Sequence, residues 1–131
     1  YDHVQGSRFI TGGNAINTPV TRLLGLKLLH APMIRMASKF GYTDTTNGFR
    51  AYSDKLLLSN KLAIFRNVFT GYELHYYLAI NAPRNQFRCL EIPVTRCYPK
   101  GKVPTKISFI KGNLGVIMTL FKVCFGKYDA K

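Results

Sequence analysis

Acidic residues are scarce in this sequence. Its 131 residues include 6 Asp and Glu against 19 Lys and Arg, which gives a formal net charge of +13. A balance of this kind informs about partners rather than about fold. It favours anionic partners such as nucleic acids, sugar nucleotides, lipid phosphates or an acidic membrane surface. The basic residues are distributed from Arg8 to Lys131 without a run of five, so the sequence has no basic tail.

Cysteine and histidine patterns typical of metal or redox sites are also missing. Cys89, Cys97 and Cys124 form no Cys-x-x-Cys pair and have no neighbouring His pair, which argues against a zinc site. Cys89 and Cys97 are eight residues apart on one predicted strand, too far apart for a disulfide. We therefore predict free thiols in a reducing compartment. The three histidines share no metal or triad spacing, and no serine sits in a nucleophile elbow.

The sequence contains no uninterrupted apolar run of membrane-spanning length. The tail from residue 107 to 125 is mostly apolar, but Lys111 and Lys122 leave only ten residues between them, whereas a span needs about 20. Its polar positions recur at helical intervals, which predicts an amphipathic helix: Ser108, Lys111, Gly115, Thr119 and Lys122. Such a helix either covers the sheet or lies at a membrane interface with its lysines toward lipid phosphates.

What is present indicates one α/β layer. The chain is 47% hydrophobic and 13% aromatic, enough for a core. Strands are predicted at residues 3–9, 49–53 and 87–98. Helices are predicted from a Thr18-Pro19 cap to about residue 40 with a break near Pro32, over 54–58, from a Thr70–Glu73 capping box to Ile80, and in the tail. This alternation favours helices packed on a sheet.

The stretch DTTNGFRAYS, residues 44–53, combines a turn with a strand. Asn47-Gly48 is a turn dipeptide whose residues tolerate positive φ. In the strand that follows, Phe49 and Ala51 alternate with Arg50 and Tyr52, and we expect the first pair to anchor the strand from below. Taken alone, Asp44 is predicted to be a turn-capping aspartate.

Several basic residues are candidates for anion binding. Arg8 follows the first strand, where α/β sheets usually bind ligands, although a surface ion pair is equally compatible with its position. Arg22 is expected near the first turn of a helix, where amides attract phosphate; a solvated arginine is the alternative. Lys100, Lys102 and Lys106 form a basic loop that resembles either a lid over a diphosphate or an ordinary exposed loop. Glu91 is expected to pair with a base.

Three motifs together resemble the later part of family 2 glycosyltransferases of the GT-A fold. They are GSRF with Gly12-Gly13, DTTNGFRAYS for the family's D-x-T-S-G-F-R, and LEIPVTRCYPKGKVPTKIS for its E-V-P-V followed by R-x-x-G-x-S-K. Their order and their spacing over most of the chain make the set more specific than any one motif. The nearest resemblance is to polyprenyl-phosphate sugar synthases of the dolichol-phosphate mannose synthase type.

The resemblance implies a role for each matching residue. Arg8 and Arg22 would hold the acceptor phosphate. Asp44, Asn47 and Arg50 would line the crevice near the transferred sugar, with Asp44 as the candidate catalytic residue. Lys100 and Lys106 would form the lid over the donor diphosphate.

The resemblance also implies partners and a location. The parent enzyme would transfer a sugar, with inversion, from a nucleotide-sugar donor to a polyprenyl-phosphate or saccharide acceptor. A divalent metal, Mg²⁺ or Mn²⁺, is expected in the parent enzyme, with ligands outside this chain. The expected location is cytoplasmic, peripheral at the cytoplasmic face of a membrane.

The same resemblance predicts that the chain is a piece of a longer protein. Residues 1–106 would form the acceptor-side half of the transferase domain, and residues 107–131 an amphipathic helix and tail. The nucleotide-binding half, with its D-x-D metal ligands, is expected to precede Tyr1. We therefore expect the 131 residues alone to be inactive in sugar transfer.

Two other classes of function are compatible with the composition. A basic nucleic-acid-binding module would use the charge together with 8 Tyr and 9 Phe for phosphate contacts and base stacking. However, the sequence has no RNP, KH, helix-turn-helix or finger pattern, so nucleic acid is the less favoured partner. A structural protein of the membrane surface is supported by the tail and the charge alone.

Overall fold

The computed structural model describes residues 1–101 and 111–129, with side chains from Leu114 onward in the second range. The strands, in chain order, are β1 (His3–Ser7), β2 (Asn14–Ile16), β3 (Arg50–Tyr52), β4 (Cys89–Pro93) and β5 (Thr95–Cys97). The helices are α1 (Val20–Gly25), α2 (Ala31–Ser38), α3 (Asp54–Leu57), α4 (Glu73–Arg84) and α5 (Lys111–Cys124), with a π-helical turn, Leu26–His30, between α1 and α2. The predicted α/β class is confirmed, and the sheet is small and mixed.

The strands form two small sheets that are connected through the main chain at Val94. In the first, β1 lies between β3, which is antiparallel to it, and β4, which is parallel. In the second, β2 pairs in parallel with β5. The Val94 amide donates to the Ser7 carbonyl and the Asn14 amide donates to the Val94 carbonyl, so main-chain hydrogen bonds run from one sheet to the next. At Val94 the chain therefore passes from the first sheet, through β4, to the second sheet, through β5.

One apolar core joins the helices to the sheet. α4 contributes the largest part, from Tyr76 to Ala82, and packs against α2 and α5. Leu120 and Val123 of α5 are almost completely buried in the same cluster. This face of α5 therefore belongs to the core, as in the first of the two predictions for the tail. No helix in residues 1–101 and 111–129 has the length and apolar character needed to cross a membrane.

Two predicted boundaries changed because main-chain conformation ended an element early. The first strand ends at Ser7, not at Phe9, since Arg8 leaves the ladder to bind Asp44. The helix predicted to reach residue 40 ends at Ser38 because Lys39 adopts a left-handed conformation with φ 57°. The predicted break near Pro32 is confirmed as the π-helical turn just before it, with Pro32 in the first turn of α2, where its missing N–H is tolerated.

Two predicted helix caps are wrong. α1 begins at Val20 with Pro19 at the cap, and the buried Thr18 hydroxyl has no hydrogen-bond partner among the described residues. α4 begins at Glu73, so Thr70 is too far away to cap it; the Glu73 carboxylate instead accepts from the Gly71 amide. By contrast, the prediction for the short helix is confirmed: the Ser53 hydroxyl accepts from the Leu56 amide.

The end of α4 and the strand over residues 87–98 also differ from their predictions. α4 runs through Pro83 to Arg84, because packing of its buried face continues to Ala82 and outweighs the proline. The long strand is broken at Val94 into β4 and β5, which confirms the irregularity predicted at Pro93. Cys89 and Cys97 consequently do not share one strand, although both are free thiols, as is Cys124.

The turn before β3 is built differently from the prediction. Neither Asn47 nor Gly48 has a positive φ; the Asn47 side-chain oxygen accepts from the Phe49 amide, which is an Asx turn. Phe49 is 61% exposed and Ala51 is also exposed, so they do not anchor the strand from below. The half-buried pair is Arg50 and Tyr52, opposite Gln5 and His3 of β1.

Candidate functional site

Arg8 and Asp44 form a buried ion pair at the carboxyl end of β1. The Arg8 Nε and Nη2 atoms donate to the two Asp44 carboxylate oxygens over 2.6 and 2.9 Å, and the Arg8 amide donates over 3.2 Å. The side chains are 2% and 0% exposed. Burial alone would lower the pKa of Arg8, but hydrogen bonds and charge from Asp44 outweigh burial and raise that pKa. The pair is therefore a fixed part of the site, not a surface ion pair.

Glu91 holds the loop that carries Asp44. Its carboxylate accepts from the Thr43 amide, the Thr43 hydroxyl and the Asp44 amide over 2.8 to 3.0 Å. It forms no ion pair with a base in the described part of the chain, in contrast to the prediction of a basic partner. Instead, β4 positions a carboxylate whose hydrogen bonds fix the loop next to β1.

Asn47 lies in the same loop and is 5% exposed. Its carbonyl accepts from the side-chain amide of Gln5 over 3.1 Å, and its side-chain oxygen is used within the Asx turn. Asn47 also borders a groove of about 380 Å³ whose other lining residues are Gly48, Phe49, Val94, Thr95 and Arg96. A larger hollow of about 650 Å³, between the end of α2 and the end of α4, contains none of the predicted site residues.

Arg22 meets two residues that were not predicted to belong to the site. Its Nη1 atom donates to the Tyr98 hydroxyl over 3.2 Å, and its guanidinium lies 5.6 Å from the centre of the Tyr98 ring. The Arg96 guanidinium lies 4.9 Å from the same ring. Tyr98 is 7% exposed, whereas both arginines are exposed. The result is a pair of accessible cations oriented by one buried aromatic ring.

The remaining predicted residues occupy different positions. Arg50 is half-buried on β3, where its Nε donates to the Gln5 side-chain oxygen and its Nη2 to the Thr45 carbonyl. Lys100 is exposed just beyond β5. Lys102 and Lys106 lie outside the described residues. The structure thus joins Arg8 to Asp44 directly, with Asn47 in the same loop, and orients Arg22 through Tyr98.

Within residues 1–101 and 111–129, no group of three or more His, Cys, Asp or Glu side chains is close enough to hold a metal ion. Both oxygens of Asp44 are used by Arg8 and Thr46, and the carboxylate of Glu91 accepts from the Asp44 amide. The resemblance places the ligands of the divalent metal outside this chain, and no step of the chemistry is assigned to a metal held by the described residues.

Sequence reasoning missed Glu91, Tyr98 and Arg96 as parts of the site. Glu91 alternates away from the apolar face of β4, as expected for a strand, but the sequence does not show which loop lies opposite. The sequence shows that Arg96 lies two residues before Tyr98. It does not show that Arg22 lies beside them, which requires the pairing of β2 with β5.

Comparisons with known proteins supply no family for this chain. None of the protein-family models, curated proteins or solved structures compared with it matches. Its function must therefore be inferred from its own residues and contacts.

Proposed function

We propose that this chain is the acceptor-side part of a nucleotide-sugar-dependent glycosyltransferase of the GT-A fold. The observation that carries the proposal is the meeting of three motifs. Arg8 of GSRF binds Asp44 of DTTNGFR over 2.6 Å, and the Asp44 amide donates to Glu91 of LEIPV over 3.0 Å. Residues far apart in the sequence are expected to converge in this way when their motifs serve one site.

The geometry favours a phosphate acceptor over a saccharide hydroxyl. The two oxygens of Asp44 accept four hydrogen bonds from Arg8 and Thr46, so the lone pairs that a general base needs are occupied. A hydroxyl acceptor requires such a base, whereas a phosphate is already an anionic nucleophile. Asp44 therefore acts in this proposal as a positioning residue for Arg8, and the preferred acceptor is a polyprenyl phosphate.

Arg22 and Arg96 are suited to receive that phosphate. Both guanidinium groups are exposed beside Tyr98, and arginine binds phosphate oxygens through paired hydrogen bonds. Lys100, exposed two residues beyond Tyr98, adds a further cation at the same end of the molecule. Buried Arg8, in contrast, is committed to Asp44, which neutralises its charge.

Exposed apolar side chains in the same helical segment as Arg22 support contact with a lipid. Val20, Leu24 and Leu28 recur every four residues along α1 and the π-helical turn and are 69%, 51% and 73% exposed. The neighbouring Lys27 is exposed as well. A helix that combines exposed apolar residues with cations is typical of a membrane interface. We therefore propose a peripheral position at a membrane, where a polyprenyl chain would be found.

In the parent enzyme, the acceptor phosphate would displace the nucleoside diphosphate at the anomeric carbon with inversion. A divalent metal bound outside these residues would stabilise the departing diphosphate. The residues of this chain would bind and orient the acceptor: Arg22 and Arg96 at the phosphate, and the network of Arg8, Asp44 and Glu91 holding the crevice in shape.

Binding of farnesyl phosphate, a short polyprenyl phosphate, tests this proposal. We expect the chain to bind farnesyl phosphate but not farnesol. The variant Arg22→Ala/Arg96→Ala should bind at least tenfold more weakly, since two hydrogen bonds to a charged group contribute about 1.5–3 kcal/mol each. Lys61→Ala, which removes an exposed lysine between α3 and α4, is the matched control.

Three results would contradict the proposal. They are equal binding of farnesol, unchanged binding by the double variant, and salt-steep binding of single-stranded RNA without binding of farnesyl phosphate. The last would support the nucleic-acid-binding module instead. Sugar transfer by the 131-residue chain alone would overturn the expectation that the donor half is required.

A further inference from the structure

The hollow between the end of α2 and the end of α4, here called the α2–α4 hollow, plays no part in the proposed function. Its volume of about 650 Å³ lies within the range of about 300–1,000 Å³ that is typical of small-molecule sites. Phe87 lines it and leads into β4, whose first residue, Cys89, pairs with His3 at the start of β1. Arg8 follows the other end of β1. The hollow and the proposed transferase site are therefore separate, at opposite ends of the same strand.

Cations and aromatic rings together line the α2–α4 hollow. Lys39 and Arg84 are exposed cations, and neither forms an ion pair in the described part of the chain. Phe40 and Phe87 are half-buried, because each packs against the core with only part of its surface. None of the described lining residues is acidic. This combination is suited to a ligand that carries a negative charge next to a flat apolar group.

Arg84 is held in a fixed orientation at the hollow. Its Nε donates to the Ala37 carbonyl at the end of α2 over 2.6 Å. This hydrogen bond compensates the partial negative charge of a carbonyl at a helix C-terminus, which would otherwise repel an anion. It uses Nε and leaves the Nη1 and Nη2 groups to donate to a ligand. Since arginine binds phosphate oxygens through paired N–H groups, Arg84 is already oriented as a phosphate-binding residue.

Two lining residues have a strained main chain. Lys39, at the end of α2, has φ 57°, and Gln86, two residues beyond the end of α4, has φ 64°. Both angles are in the left-handed region, which glycine adopts without strain and which commonly follows a helix. Long polar side chains thus occupy two positions where glycine would be more stable, and both border the same hollow. Strain of this kind is typical of ligand sites, and a ligand that contacts both side chains would account for it.

We propose that the α2–α4 hollow binds a nucleoside monophosphate, with its phosphate at Lys39 and Arg84 and its base against Phe40 and Phe87. Stacking on aromatic rings is possible for every base, so the inference concerns the class of ligand and not one base. Gln86 adds a side-chain amide that both donates and accepts hydrogen bonds. Inorganic phosphate would use the cations alone and a free nucleoside the rings alone, so each should bind more weakly. The site does not depend on the proposed transferase function and shares no residue with it.

NMR titration of the unmodified chain with AMP and with UMP, at constant ionic strength, tests the site directly. We expect saturable shifts of the Lys39, Gln86 and Phe87 amides, while the Gly48 amide at the other groove stays in place. The Kd should be at least tenfold lower than for adenosine or inorganic phosphate, because stacking of one base contributes about 1–3 kcal/mol. Absence of saturation with both nucleotides, equal binding of inorganic phosphate, or shifts confined to the other groove would each overturn the proposal.

The substitution Lys39→Gly provides an independent test that does not endanger the fold. It removes one cation and relieves the left-handed strain, so the urea midpoint should stay unchanged or rise while AMP binds at least threefold more weakly. Lys61→Ala is the matched control, since it removes an exposed lysine that does not line the hollow, and it should leave AMP binding unchanged. Unchanged AMP affinity in Lys39→Gly, or an equal loss in Lys61→Ala, would indicate a general charge effect and refute the site.

Discussion

Replacement of Asp44 by Asn should destabilise the fold strongly, because Arg8 would remain buried without a counter-ion. The Arg8 side chain is 2% exposed, and Asp44 is the acid that pairs with it. Removing one partner of a buried ion pair costs about 3–5 kcal/mol. Since total stabilities of about 5–15 kcal/mol are typical, this change removes a large part of the free energy of unfolding.

Urea denaturation of a double-mutant cycle measures the effect. The cycle comprises the wild type, Asp44→Asn, Arg8→Met and Arg8→Met/Asp44→Asn. The double variant should lose less than the sum of the single variants, with a coupling energy of about 1–3 kcal/mol, because it contains no unpaired buried charge. Arg88→Met is the matched control: Arg88 is 76% exposed in its 3.9 Å contact with Asp2, so its loss should cost less than about 1 kcal/mol.

Two results would refute this reasoning. One is a loss below about 1 kcal/mol for Asp44→Asn, which is the range of an exposed ion pair. The other is simple additivity in the cycle, which would mean that Arg8 and Asp44 do not depend on each other. Either result would also remove the connection between the motifs that supports the proposed function.

Two further predictions concern the same region. Gly13→Ala should lower the free energy of unfolding, measured in urea, by about 1–3 kcal/mol, because the new Cβ would lie 2.6 Å from the Ser7 carbonyl oxygen. Gly25→Ala, where a Cβ meets nothing within 4 Å, is the control and should be neutral or stabilising. Equal losses of stability in the two variants would contradict this reasoning. The lowered pKa values of His3 and His30, about 4 in the folded state against 6.5, mean that the unfolded state binds more protons between these limits. Stability should therefore fall with decreasing pH from about 6.5 to 4, by about 1.4 kcal/mol per unit for each ring; His30→Gln should reduce that slope, and an unchanged slope would count against a buried neutral His30.

Locally encoded features could be predicted from the sequence. The Ser53 cap depends on a residue three positions away, and the break near Pro93 depends on a missing N–H, so neither needs knowledge of the rest of the fold. The Thr70 cap failed for the opposite reason. Residues 70–73 match the sequence pattern of a capping box, but α4 begins only at Glu73, so Thr70 lies outside the helix.

The orientation of β3 shows a limit of hydrophobic patterns. Phe49 and Ala51 were expected inside because they are apolar, yet they are exposed, and Arg50 and Tyr52 are half-buried. The reason lies in β1, whose buried face carries His3 and Gln5. The polar face of the central strand β1 requires polar partners on β3. The register of β3 with β1, which decides which side chains those are, cannot be read from residues 49–53.

The sequence alone determined the α/β class, the excess of positive charge and the order of the three motifs, because these follow from composition and short-range pattern. Only the tertiary structure decided that Asp44 neutralises Arg8, that Glu91 holds the loop of Asp44, and that Arg50 binds the side chain of Gln5 and the carbonyl of Thr45. Each of these outcomes depends on which strands pair and in which register. With six acids for nineteen bases, the chain path decides which cations are neutralised and which remain available for a ligand.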